Sequence, residues 1–140
     1  KMFIVINLRG FSRNLRKEIT KTSKYYFVDL GLRNALIRNF NPINLRNDVG
    51  GLFENFCIVE RMKFLSNQRK SANYYFWRTY DQKELDLIED RDGKLIAFEF
   101  KFGRDKISTA TKREFLETYP DSVIELVNRE NIGGLTSHYK

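Results

Sequence analysis

The chain has 140 residues, 41% hydrophobic and 14% aromatic with 12 Phe and 7 Tyr, enough for one domain with a buried core and against disorder. One cysteine (Cys57) and one histidine (His138, in a polar C-terminal tail) exclude an internal disulfide, cysteine or histidine zinc clusters, and Cys–His or Ser–His–Asp catalysis. The 25 Lys and Arg against 18 Asp and Glu give a formal charge of +7, which attracts polyanions such as nucleic acid and serves solubility equally well.

Eight Gly and two Pro leave no room for a collagen-like or low-complexity architecture. No apolar run approaches the roughly 20 residues of a membrane helix, and the start carries no signal-peptide pattern. A reducing cytoplasm and no membrane partner are expected. Lys1 stands where a methionine would open a complete chain, so a piece of a longer protein is expected.

Met2–Leu8 reads as a short apolar strand. A basic stretch follows, with Arg9, Arg13, Arg16, Lys17, Lys21 and Lys24. A second strand is predicted over Tyr25–Asp29. Residues 1–21 fit the tail of an upstream segment or an N-terminal strand of this domain, and 22–140 form the main unit. Leu32, Ala35, Leu36 and Phe40 mark one face of a short helix that Asn41-Pro42 ends.

Asp48 begins a long helix to about Leu65. Its apolar positions Val49, Leu52, Phe53, Phe56 and Val59 follow helical spacing, with Cys57 beside them as a small buried hydrophobe. Glu54 flanks that stripe, where a carboxylate is costly unless paired, bound to a cation or left at the edge. Gly50-Gly51 fits close packing of this helix on the sheet, or an approach of backbone to phosphate.

Tyr74–Tyr80 is an aromatic strand, suited to a core or to base stacking. Glu84–Glu89 alternates, with Leu85 and Leu87 on one side and Glu84, Asp86 and Ile88 on the other. Asp90–Gly93 is a hairpin turn and Lys94–Phe102 the returning strand. Thr109–Tyr119 reads as a helix with Ala110, Phe115 and Leu116 inward, and Val123–Val127 as a last strand, parallel to its predecessor through a right-handed crossover. The class is α/β, a mixed sheet flanked by helices.

The chemistry concentrates in the hairpin. Glu99 and Lys101 are two apart on a strand and share a face about 7 Å apart, while Ile96, Phe98, Phe100 and Phe102 line the other. A turn over 90–93 pairs Glu89 with Lys94, sets Asp86 opposite Ala97 and leaves Glu99 on the diagonal. Two carboxylates from neighbouring strands with a lysine one pleat on suit a Mg²⁺ or Mn²⁺ ion that activates water against a phosphodiester. The lysine would orient or deprotonate the water and offset developing charge. A cross-strand ion-pair network of Glu84, Asp86, Glu99 and Lys101 on a solvated face fits the same residues. The basic residues Arg13, Arg16, Lys17, Arg104, Lys106, Lys112 and Arg113 would contact phosphates, or simply be solvated.

Asp86, a hairpin, Glu99-Phe-Lys101 and a preceding helix bearing Glu54 resemble the PD-(D/E)XK nuclease signature. KYYFVDLGLRNAL, DVGGLFENFCIVE and YFWRTYDQKELDLIE with AFEFK are similar to the C-terminal domain of unknown function in a family of prokaryotic AAA-type ATPases, over roughly residues 22–130. The resemblance implies a restriction-endonuclease-like core acting on DNA. Glu54, Asp86 and Glu99 would be metal ligands, Glu60 a reserve for the helical one, and Lys101 the catalytic lysine. It also implies an upstream ATPase domain joined by a winged-helix-like segment. No G-x-x-x-x-G-K-[ST] loop occurs here, so no ATP site is expected within these residues. The other function class that fits is a catalytically inactive nuclease-fold module that binds nucleic acid or a protein and regulates the ATPase.

Overall fold

Six strands build one mixed sheet in the computed structural model, which describes residues 4–13 and 16–137. They are β1 (Val5–Gly10), β2 (Ser23–Phe27), β3 (Asn73–Arg78), β4 (Glu84–Arg91), β5 (Lys94–Phe100) and β6 (Val123–Val127). Three helices accompany them: α1 (Leu30–Leu36), α2 (Val49–Asn67) and α3 (Thr109–Thr118). Short 3₁₀ turns cover Ile43–Leu45 and Ile132–Thr136. Met2 and Phe3 of the first predicted strand, and His138, lie outside the described residues.

The strand order is β2-β1-β3-β4-β5-β6. β1 runs parallel to β3 and β5 to β6, and the other neighbours are antiparallel. The chain therefore leaves β1, β3, β5 and β6 at one end of the sheet and enters β2 and β4 there. Residues 11–13, 16–22, 79–83 and 101–108 gather at that end, and loops of this kind carry function on a rigid scaffold.

Each sheet face is covered by one helix. On the α2 side, Leu8, Tyr26, Phe76, Leu87, Phe98 and Phe100 pack with Phe53, Cys57 and Ile58. On the α3 side, Trp77, Leu85, Ile88 and Ala97 pack with Phe115 and Tyr119. A fully buried side chain of this size contributes about 1.5–3 kcal/mol, so the two layers hold the sheet from both faces. Cys57 is fully buried, and burial pushes its thiol up to about 12, as befits a packing residue. Of the aromatic strand, Phe76 and Trp77 are fully buried and only Tyr80 is exposed, so β3 is a core strand.

The hairpin register differs from the expected one. Arg91, not Glu89, pairs with Lys94, because the turn is the two residues Asp92-Gly93, both at positive φ (53° and 80°). The whole pairing shifts by two. The ladder then ends at Leu87↔Phe98, and Asp86 comes level with Glu99 instead of Ala97.

β4 is also bulged. Tyr75 pairs with Ile88 and Trp77 with Leu85, so that Phe76 of β3 stands against both Asp86 and Leu87 of β4. Leu85 and Leu87 therefore pack on opposite faces, where alternation predicts one. A bulge of this kind re-aims side chains, and the one it re-aims is Asp86.

Four helical expectations change. The face of α1 is not core: Leu36 and Phe40 are 62% and 72% exposed, and no residue of α1 is buried. Phe56 of α2 is 40% exposed, while Asn55 is buried because its amide clamps the backbone N–H and C=O of Phe27. On α3 the inward positions are Thr111 and Phe115, followed by Tyr119, and Ala110 and Leu116 face out. Tyr119 is drawn inward because its hydroxyl reaches the buried carboxylate of Glu18 at 2.7 Å. Close helix packing is not what Gly50-Gly51 serves either. A Cβ on Gly50 would meet nothing within 4 Å, and one on Gly51 only the tip of Arg33.

Candidate functional site: a carboxylate and lysine centre at the strand fork

Beyond Leu87↔Phe98 the strands β4 and β5 part, and Asp86 fills the fork. Its Oδ2 accepts the N–H of Phe100 at 2.8 Å, taking the place of a ladder carbonyl. Asp86 and Glu99 are 7% and 8% exposed. Two carboxyls so placed cannot both ionise cheaply. Burial, then the charges of Glu54 and Glu99, hold Asp86 well above the usual carboxylate range, against the Phe100 N–H and Lys24. Burial likewise raises Glu99, opposed by Lys101 and by a hydrogen bond with the Asp86 carboxyl.

Lys101 Nζ meets Glu99 Oε1 at 2.9 Å, which confirms that Glu99 and Lys101 share a side of the strand. The other oxygen of Glu99, Oε2, is buried with no amide, hydroxyl or cation against it. The hydrogen bond to Glu99 raises Lys101, with burial opposing, so the amine is held protonated. Opposite them, Ile96, Phe98, Phe100 and Phe102 form the expected apolar row against the α2 core.

Glu54 lies on the first turns of α2 and faces the same centre through intermediaries. Tyr26 of β2 donates to its Oε1, and Lys24 Nζ reaches the same oxygen at 3.0 Å. Lys24 also contacts Glu84 at 2.5 Å and Asp86 Oδ1 at 4.0 Å. Burial works to lower the Lys24 amine, but the charges of Glu54, Glu84 and Asp86 outweigh it and hold it above its usual value. Glu84 is pinned by Arg78 at 2.6 Å, and its two cations keep it below the usual range despite burial. Burial and the nearby Glu54 carboxylate push the Tyr26 hydroxyl far up, so it stays a donor.

Sequence reasoning missed Lys24, Tyr26 and Arg78 as members of this centre. In the sequence Lys24 stands in a basic run. The signal that separates it is the strand period, which puts it on the side of Tyr26, two residues on. What brings it to Glu54 and Asp86 is the strand order, which no local pattern contains.

Among the described residues no three His, Cys, Asp or Glu side chains stand close enough to form a metal-holding group. Asp86 and Glu99 make the close pair, and Glu54 joins them through Lys24. Glu60, the reserve position, pairs with Lys63 at 3.5 Å beside Phe56 and Val59, in a separate hollow.

The basic residues fall into other surroundings. Arg13 lies over the rings of Phe11 and Tyr119. Arg16, Lys17 and Arg113 line an open cleft with Tyr80, Lys83 and Glu114, at the end of the sheet where the loops gather. Arg104 pairs with Glu130 at 2.8 Å, and Lys106 and Lys112 are exposed. Among the described residues, Arg13, Lys17, Arg104, Lys106, Lys112 and Arg113 are not partners of Glu54, Asp86 or Glu99.

The fold and this centre define an α/β domain with a six-stranded mixed sheet and a buried acid pair backed by lysine at a strand fork. Residues 49–132 match a domain of unknown function (DUF4143), known from C-terminal regions associated with AAA-type ATPases, and the chain belongs to that family. Residues 1–43 match a second domain of unknown function (DUF8612). The centre draws on both stretches, Lys24 and Tyr26 from the first and Glu54, Asp86, Glu99 and Lys101 from the second. No curated protein and no solved structure matches the chain. Among the described residues no helix is long and apolar enough to cross a membrane.

Proposed function

We propose that this chain is a metal-dependent phosphodiesterase domain of the PD-(D/E)XK type, with a restriction-endonuclease-like core, that cleaves DNA alongside an AAA-type ATPase. The observation that carries the reading is the facing pair Asp86 and Glu99, with Lys101 bound to Glu99 and one buried Glu99 oxygen with no amide, hydroxyl or cation against it. Without metal, a proton kept on Asp86 serves that buried oxygen, and a hard cation can take the proton's place.

The donor set fits Mg²⁺ or Mn²⁺, which takes one or two carboxylates and completes its shell with water and substrate phosphate. Asp86 and Glu99 would hold it, with Glu54 reaching the outer shell. When bound, the ion supplies an activated water and charge stabilisation on the phosphate. The chain's own residues do the rest. Glu99 orients Lys101, whose protonated amine positions the attacking water and offsets negative charge that develops on the phosphate. Held protonated, Lys101 serves as a donor and not as the base. Arg16, Lys17 and Arg113, on loops and a helix at the same end of the sheet, would hold the DNA backbone.

The test is cleavage of end-labelled linear, nicked and branched DNA with Mn²⁺, wild type beside Glu99→Ala and Lys101→Ala. Cleavage by wild type and its loss in both variants is the expected result. A second reading is favoured by Lys24, whose ammonium already contacts Glu54, Glu84 and Asp86. A self-neutralised centre of that kind suits a fold kept as a binding module that regulates the ATPase. No cleavage, with DNA retained in a salt-sensitive gel shift, would establish it.

A further inference from the structure

We propose that Lys24 is a tethered cation that competes with the divalent ion: its ammonium holds the space between Glu54 and Asp86 when no metal is bound and moves aside toward Glu84 when one binds. The inference rests on the metal-dependent reading above and adds a residue and a control step to it.

Three features support it. The Nζ lies 3.0 Å from Glu54, 2.5 Å from Glu84 and 4.0 Å from Asp86, so one cation serves three carboxylates. It stands over the face of Phe76, 5.6 Å from the ring centre, an attraction that does not depend on Glu54 or Asp86. And the three acids are unequally committed. Asp86 has the Phe100 N–H and Glu54 the Tyr26 hydroxyl, while Glu84 is pinned by Arg78 and is the most exposed of the three side chains, at 28% against 20% for Glu54 and 9% for Asp86. Glu84 is therefore an anchor on which Lys24 stays paired after leaving Glu54 and Asp86. Lysine suits the task because its charge is compact and its four-carbon stem is flexible.

Lys24 is then a positioning residue with an opposing effect on metal. It keeps the acids collapsed and partly neutralised without metal, and it sets the concentration at which a divalent ion displaces it. β2 carries it, so anything that moves β2 alters the metal affinity of a site built mainly on α2, β4 and β5.

The experiment is direct Mn²⁺ binding, by calorimetry and by electron paramagnetic resonance of the free ion, to wild type, Lys24→Met, Lys24→Gln and Lys24→Arg. Circular dichroism and urea midpoints accompany each variant. Lys24→Met removes the competitor and binds Mn²⁺ at least about tenfold tighter than wild type, which is about 1.4 kcal/mol. Lys24→Arg keeps the charge and stays near wild type. Lys24→Gln, which retains a donor to Glu54, gives the same gain if Lys24→Met does not fold. Unchanged or weaker Mn²⁺ binding in a folded neutral variant overturns the proposal and leaves the metal reading standing. No Mn²⁺ binding in wild type or any variant overturns the metal reading, and this inference falls with it.

Discussion

Strand β4 carries two buried acids three residues apart, and they live in opposite circumstances. Glu89 is fully buried and held by both arms of Arg61, Nε at 2.8 Å and Nη2 at 3.1 Å, with Arg91 at 2.9 Å as well. Arg61 in turn donates to the carbonyl of Leu135 and so fastens the C-terminal 3₁₀ turn to α2. Asp86 faces two further carboxyls instead, with one backbone N–H and a lysine 4.0 Å away. Charge that serves structure is neutralised on the spot. Charge left facing like charge, in a site built by a bulge and a strand fork, works against stability and points to a ligand.

The largest effect expected comes from breaking the satisfied pair. Arg61→Met leaves Glu89 buried with a single cation and frees the Leu135 carbonyl, and urea unfolding should show a loss of about 3–5 kcal/mol. The same experiment at the other acid should give the opposite sign. Asp86→Asn keeps an acceptor for the Phe100 N–H while removing the repulsion, so the metal-free protein gains about 0.5–2 kcal/mol. That variant should lose Mn²⁺ binding, and a loss of stability instead would put Asp86 in the same structural class as Glu89.

The pH dependence sharpens the contrast. Asp86 and Glu99 keep their protons to higher pH in the folded chain than in the unfolded one, where carboxyls titrate near about pH 4. The folded state binds more protons in that window, so stability without metal falls as pH rises from about 4 through the raised values. Asp86→Asn should flatten that fall, as urea midpoints across the range will show. Mn²⁺ affinity should rise over the same range, because the ion displaces the protons. The smallest effect lies outside both acids. Gly51→Ala, on an exposed helix position whose new Cβ meets only the tip of Arg33, should add about 0.5–1 kcal/mol and leave metal binding unchanged.

Much of this was legible locally. The alternation of Ile96, Phe98 and Phe100 against Glu99 and Lys101 set the two faces of β5, and Asp90–Gly93 marked the turn but not its two-residue length. The lengths of α2 and α3 are also near those expected from spacing, and the start of α3 is fixed by Ser108, whose side chain accepts from the Thr111 N–H. Exposure was less legible. Leu36, Phe40 and Phe56 have core-like spacing but face outward, because periodicity records which residues share a face and not whether that face is covered.

What the sequence determined by itself is therefore the α/β class, the order of its elements and the acid and lysine residues brought together at the end of the hairpin. Those follow from periods of 2 and 3.6 and from turn chemistry, which act within a few residues. Only the tertiary structure decided that the two-residue turn shifts the hairpin register and brings Asp86 level with Glu99. It also decided that a bulge opposite Phe76 turns Asp86 into the fork, and that β2 lies close enough to bring Lys24 to Glu54. These depend on strand pairing between distant segments, where the burial of two whole sheet faces outweighs any local preference.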